Sequence, residues 1–316
     1  MDLQTHIRLV PEKNQIDYDS QLLLLGSCFT EHIGAQLEYF KFQNLQNPFG
    51  ILFNPVSISK LVTRALTDAF FTEKDIFKKD SVWHCFAVHS LVFDTEKEEY
   101  LKRLNELLSG LKETLIQSSH IIFSLGTAWV HRFKETNEIV ANCHKIPQKE
   151  FSKELLTMNE ISKCLEEMVV AIQKVNPKVQ ILFTVSPVRH IKEGLPENNL
   201  SKSHLITAIH EVVASTEATH YFPSYEIMMD ELRDYRFYEK DMIHPNETAI
   251  AIIWEKFNSV WVASETLPIQ KEIDTIQRGL AHKPFHPQST EHQVFLDNLK
   301  DKIVRLQARL PHLSFS

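Results

Sequence analysis

Two short stretches of this 316-residue sequence hold residue types that can do acyl chemistry. The first is Gly26-Ser27-Cys28, where the apolar run Leu22 to Leu25 ends and a helical pattern (Phe29, Ile33, Leu37, Phe40) begins. A nucleophile at that junction sits at a helix N-terminus, whose free N–H groups and dipole favour negative charge. The same groups can hold an oxyanion, and the position predicts a lowered pKa for the Cys28 thiol. Ser27 can equally cap the helix, with Cys28 packed as a small apolar residue. The second stretch is Asp241-Met242-Ile243-His244-Pro245. An aspartate three residues before a histidine can reach one ring nitrogen in a turn, which leaves the other to act as general base. That spacing alone is a weak signal, since the aspartate can also cap a helix beside a surface histidine.

These groups need a frame that brings them together. Leu22 to Leu25 and Ile121 to Leu125 are continuous apolar runs stopped by Gly26 and Gly126, the pattern of strands buried on both faces. Phe86 to Phe93 and Val179 to Val185 predict two more strands, and Tyr221-Phe222 a short last one. Between them lie helical patterns over Tyr100 to Leu115, Ile161 to Ile172 and Leu205 to Val213. The last helix of the body is predicted to start at Pro245, because proline suits a first helical position. Arg132 to Phe151 shows no clear periodicity and reads as a long connection, of the kind that is usually functional or mobile.

The alternation predicts an α/β fold: a doubly wound, mostly parallel sheet of about five strands in a three-layer sandwich. In such sheets ligands bind beyond the carboxyl ends of the strands. Gly26-Ser27-Cys28, Gly126-Thr127 and Ser186 to His190 fall at those ends, and Asp241 and His244 precede the last helix. Four segments thus converge on one rim. After about Ser264 the character changes. Ile269 to Leu280 and Phe295 to Leu310 read as two polar helices with apolar stripes, joined by Lys283 to Pro287. Residues 1–263 are expected to form the α/β domain and 264–316 a C-terminal helical appendage. Its stripes should be buried against the body or against a second copy in a homo-oligomer.

With 34 Lys+Arg against 41 Asp+Glu, the net charge of −7 argues against a nucleic-acid partner. No apolar run approaches a membrane span and the first residues hold no signal-like apolar core, which predicts a cytoplasmic protein without a membrane partner. Cys28, Cys85, Cys143 and Cys164 form no CxxC pair and are expected to be free thiols. Asn142-Cys143-His144-Lys145 is a candidate loop over the site, but nothing stands at zinc-like spacing and no metal is expected. There is no GxGxxG and no P-loop, so no organic cofactor is expected. Arg189 can bind an anionic substrate group or form an internal ion pair with Asp234 or Glu226. Tyr235 to Tyr238 reads as a packed aromatic shelf leading to the Asp-His turn.

Taken together, Gly26-Ser27-Cys28 after the first strand and Asp241-x-x-His244-Pro245 before the final helix resemble the first and last signature blocks of the SGNH/GDSL hydrolases. More narrowly, Gly26-Ser27-Cys28-Phe29-Thr30 is similar to the motif that names the GSCFA family, with Thr30 where alanine is usual. The resemblance continues in order through Asn47 to Pro55, Leu125 to Trp129, Ala141 to Lys145, Thr184 to His190, Tyr221 to Glu226 and Leu232 to Tyr238. It implies an SGNH- or flavodoxin-like sandwich. It also implies an esterase or acyltransferase acting through a covalent acyl-enzyme on O-acyl or thioester groups, with a carbohydrate or small metabolite as substrate. Position by position, Cys28 stands where the SGNH serine stands and is the expected nucleophile, while Ser27, in the place of its aspartate, is the alternative one. Asp241 would orient His244, and N–H groups of Cys28 and Gly50 would hold the oxyanion. Gly126, Thr127, His144 and Arg189 are expected around the substrate. The third block of the pattern reads Gly-x-Asn-Asp, but Gly126-Thr127-Ala128-Trp129 lacks the asparagine, which leaves Asn142, Asn47 or Asn54 to replace it. That departure keeps a second reading open, a non-catalytic protein that binds a glycan or acyl group on the same fold.

Overall fold

The computed structural model describes residues 5–315. Its first half runs β1 (Gln21–Gly26), α1 (Cys28–Tyr39), β2 (Gln43–Gln46), α2 (Pro55–Leu66), β3 (Ile76–Lys79), β4 (Val82–Cys85), α3 (Lys97–Gln117) and β5 (His120–Leu125). Next come β6 (Trp129–Phe133), β7 (Glu138–Val140), β8 (Phe151–Leu155), α4 (Met158–Val175), β9 (Gln180–Val185), α5 (Leu195–Ser215) and β10 (Thr219–Phe222). A short α6 (Ser224–Glu226), then α7 (Glu247–Trp261), α8 (Leu267–Ala281) and α9 (Thr290–Arg309) complete the chain.

Five strands form one sheet in the order β2-β1-β5-β9-β10, every neighbouring pair parallel. This is a doubly wound order, with its switch point between β1 and β5. Successive strand side chains point to opposite faces, so the apolar runs feed two cores. Leu23, Leu25, Ile121, Phe123, Ile181 and Phe183 pack with α2, α3, α4 and α5. Leu22, Leu24, Ile122 and Leu182 pack on the other face with α1 and α7. The C-terminal helices join that second core: Ile273, Ile276, Leu299 and Leu306 are buried in one cluster with Leu37 and Trp254. Tyr39 ties α1 to α8, its hydroxyl donating to Asp274 at 2.9 Å and its carbonyl accepting from Gln277 at 3.1 Å. No described helix is long and apolar enough to cross a membrane.

The structure departs from the sequence expectations in four places. Phe86 to Phe93 is not a strand: pairing ends at Cys85 in the antiparallel β3–β4 hairpin, and the chain then runs in turns, with the His89 N–H donating to the Phe49 carbonyl. The strand beside β1 is β2, an edge strand with Leu45 as its one apolar residue, so no apolar run marks it. Arg132 to Phe151 is not structureless, because β6 pairs antiparallel with both β7 and β8 in a small second sheet. Pro245 lies before α7 rather than in its first turn. Asn246 is the cap, its side chain accepting from the Ala249 N–H at 3.1 Å.

Candidate active site

β1 ends at Gly26 with φ +145°, and a Cβ built there would lie 2.1 Å from the Ser124 carbonyl oxygen of β5. Glycine lets the two backbones touch where the chain turns out of the sheet. The Ser27 N–H then donates to that carbonyl at 2.9 Å. Ser27 itself is turned inward. It is 1% exposed, its hydroxyl accepts from the Phe29 N–H at 3.3 Å as the cap of α1, and it lies 2.9 Å from the Ser124 hydroxyl. Cys28, the first residue of α1, is half-buried and free.

The thiol does not titrate as its place at a helix start predicts. Burial pushes its pKa above the ordinary value; the Lys202 charge and the N–H groups of Cys28 and Phe29 pull it down, and Glu31 pushes it up. The helix-terminus effect is present, but desolvation outweighs it.

Asp241 and His244 form a tight surface turn. His244 Nδ1 lies 2.7 Å from Asp241 Oδ2, while Asp241 Oδ1 accepts from the N–H groups of Ile243 at 2.8 Å and His244 at 3.0 Å. The bond from the imidazole, with these two N–H groups, holds the Asp241 carboxyl down at about 2. With Nδ1 engaged, Nε2 is the nitrogen left for a proton transfer.

Several links bring this turn to the rim where α1 begins. The Arg189 N–H, beyond β9, donates to the Ile243 carbonyl at 3.2 Å. Burial lowers the pKa of His32, one turn past Cys28 on α1, and of His190, and the charge of His244 acts in the same direction on both. His190 Nε2 in turn lies 3.1 Å from the Gly126 carbonyl beyond β5. Among the described residues, the thiol and the His244 ring are not hydrogen-bonded to each other.

The remaining predicted residues divide. Gly50 is not a free oxyanion donor, because its N–H closes a turn onto the Asn47 carbonyl at 2.7 Å. The N–H groups of Gly126 and Thr127 both donate to Phe53, at 2.7 and 3.1 Å. Thr127 lines a cleft of about 210 Å³ with Phe53, Trp129, Lys153, His190 and Glu193. Asn142 is turned to its own loop, accepting from the His144 N–H at 2.8 Å. His144 is 3% exposed among Phe77, His84 and Phe86, with Nε2 on the Cys85 carbonyl, and burial lowers its pKa to about 4. It belongs to the hairpin rather than to the rim. Arg189 takes neither predicted carboxylate: its guanidinium lies 4.0 Å from the Tyr238 ring centre, on the aromatic shelf, while Asp234 pairs with Arg236 and Glu226 accepts from Tyr221. Asn47 anchors β1 by accepting from the Gly26 N–H at 2.9 Å, and its Nδ2 is buried without a partner.

One residue at the rim escaped the sequence reading. Lys202 of α5 is 1% exposed, and its Nζ donates at 2.7 Å to the carbonyls of both Gly126 and Ser186. Burial drops its pKa to about 7. The signal was its register: Lys202, Leu205, Ile209 and Val212 follow the spacing of one buried helix face. No group of three or more His, Cys, Asp or Glu among the described residues is arranged to hold a metal ion.

Three solved structures are similar to this chain. A mutant acetyl esterase with an acetate ion is 11% identical with a TM-score of 0.37, over 80% of this chain and 99% of that one. A carbohydrate esterase family 3 protein from Talaromyces cellulolyticus gives 9%, 0.36 and the same coverage. An acetyl xylan esterase from the rumen bacterium Butyrivibrio proteoclasticus gives 10% and 0.39, over 84% of this chain and 66% of that one. No curated protein matches. The model of the GSCFA family matches residues 21–257, and that of the GSCFA domain protein, C-terminal domain, residues 273–316. The first match spans the whole central sheet and nearly all of α7, together with both segments that carry the candidate chemistry, and the chain belongs to the GSCFA family.

Proposed function

We propose that this protein is an esterase or acyltransferase that passes the acyl group through a thioester on Cys28. The observation that carries the reading is the Asp241–His244 pair, held with Nε2 free beside the rim where Cys28 opens α1. His244 Nε2 takes the thiol proton as sulfur attacks the acyl carbon. The tetrahedral intermediate collapses to the thioester, and the departing alkoxide receives that proton back. Water, or an acceptor hydroxyl, then loses its proton to His244 and attacks the thioester; the C–S bond breaks, the acyl product leaves, and the Cys28 thiolate recovers the proton from His244. The N–H of Cys28 faces the developing oxyanion. Asn47 stands in for the missing carboxamide, since its Nδ2 is an orphaned donor while its Oδ1 is anchored at the end of β1. The cleft beside Gly126, with Trp129 in its wall, suits the acyl-bearing part of a carbohydrate or small metabolite.

The test compares acetate release from an aryl acetate by the wild type, Cys28→Ala and His244→Ala. Both variants should lose about 100-fold or more in kcat. Equal rates in all three would end the reading. A second reading, an acyl- or glycan-binding protein without turnover, draws support from the raised thiol pKa. It requires a wild type that binds an acetylated sugar in calorimetry and releases no acetate.

A further inference from the structure

Lys202 presents a problem that packing alone does not answer. An ammonium group taken out of water is costly, and proteins normally pair it with a carboxylate. Here the partners of Nζ are two backbone carbonyls, with the Tyr225 ring 5.6 Å away and no ion pair among the described residues. A methionine would fill the same volume without the charge. The two carbonyls mark where the charge sits. Gly126 follows β5 and Ser186 follows β9, and β5 lies between β1 and β9 in the sheet. Ser124, two residues before Gly126, is the register partner of Gly26, which places Cys28 beside the same strand end.

We propose that Lys202 is a positioning residue whose buried ammonium, pinned between Gly126 and Ser186, stabilises the Cys28 thiolate. The inference rests on Cys28 as the nucleophile. It also gives the unusual burial a purpose, because the positive charge stands across from the one ionisable group that a thioester route needs negative. Each group shifts the other in the matching sense: Lys202 favours the Cys28 thiolate, and Cys28 favours the Lys202 ammonium. The other charged or titratable groups around the pair are Glu31 and His32 on α1, His190 beyond β9, Tyr225 on α6, and His244. Of these, Glu31 opposes the thiolate, and burial holds His190 neutral above about pH 4.

The test reads the thiol directly and needs no ester. Alkylation of Cys28 by iodoacetamide is followed by peptide mass spectrometry from pH 6 to 10 in the wild type, Lys202→Met and Lys202→Arg. Lys202→Met should slow alkylation about tenfold at pH 6, where the lysine is charged, with the deficit fading as pH rises through 7, whereas Lys202→Arg should match the wild type at pH 6. A folded Lys202→Met with the wild-type curve would overturn the proposal. Should that variant not fold, the wild-type chain still decides. Iodoacetate, an anion, should gain on neutral iodoacetamide at Cys28 relative to N-acetylcysteine, and the gain should fade as pH rises through 7 toward 9. His244→Ala must behave alike, which separates the Lys202 charge from that of a protonated imidazole. An unchanged reagent ratio overturns the proposal. A chain that releases no acetate yet passes these tests refutes the function and leaves the charge pair standing.

Discussion

Ser27 carries a hydroxyl that could attack a carbonyl, yet both of its hydrogen-bonding roles are already filled, by the Phe29 N–H and the Ser124 hydroxyl. Ser27→Ala should therefore cost about 1 kcal/mol of stability through the lost cap while acetate release stays near the wild-type rate. A thermal melt and the aryl acetate assay on one preparation read both quantities. A folded variant without activity would move the nucleophile back to Ser27. At this scale the Asp-x-x-His pair was legible because three residues of turn suffice to join the two side chains. Gly50 was misread because a residue type does not disclose that its N–H already has a partner. Lys202 was missed for a different reason: a lysine flanked by Ser201 and Ser203 reads as helix surface unless its register with Leu205 and Ile209 is checked.

The junction of β1 and α1 depends on one absent side chain. A methyl group at Gly26 would collide with the Ser124 carbonyl of β5 and would also hold an L-residue at φ +145°. Gly26→Ala should be among the most damaging small substitutions in the protein, lowering the melting temperature by about 5 °C or more, or yielding insoluble chain. A variant that melts with the wild type would mean the two strands can separate at no cost. β1, β5 and β9 were readable in the sequence because central parallel strands are apolar on both faces. β2 and the β6–β8 sheet were not, since half-buried strands of three to five residues alternate too briefly to stand out from loops.

In the whole molecule, the C-terminal helices complete the core on the α1 side of the sheet. Ile273, Ile276, Leu299 and Leu306 are buried there, while Leu280 and Phe295 of the same stripes stay 45% and 38% exposed. Truncation after Ser264 should lower the melting temperature by about 5 °C or more, at about 1.5–3 kcal/mol for each large side chain withdrawn from the core. A truncated chain with the full-length melting temperature and elution volume would show that these helices are dispensable to the body.

The segment before β1 also has a consequence for how the chain is made. Ile16 donates to the Trp261 carbonyl and accepts from the Ala263 N–H, and the Glu12 N–H reaches Val260, so the beginning of the described chain is stitched to the end of α7. Those partners leave the ribosome some 245 residues later, roughly 12 to 50 s at ordinary elongation rates. Throughout that interval Ile16 and Tyr18, buried in the finished protein, have no finished core to enter. Vectorial synthesis thus makes this segment wait for partners made some 245 residues later. The nascent chain's exposure to chaperones and proteases is set by when α7 emerges, rather than by how quickly β1 can pair.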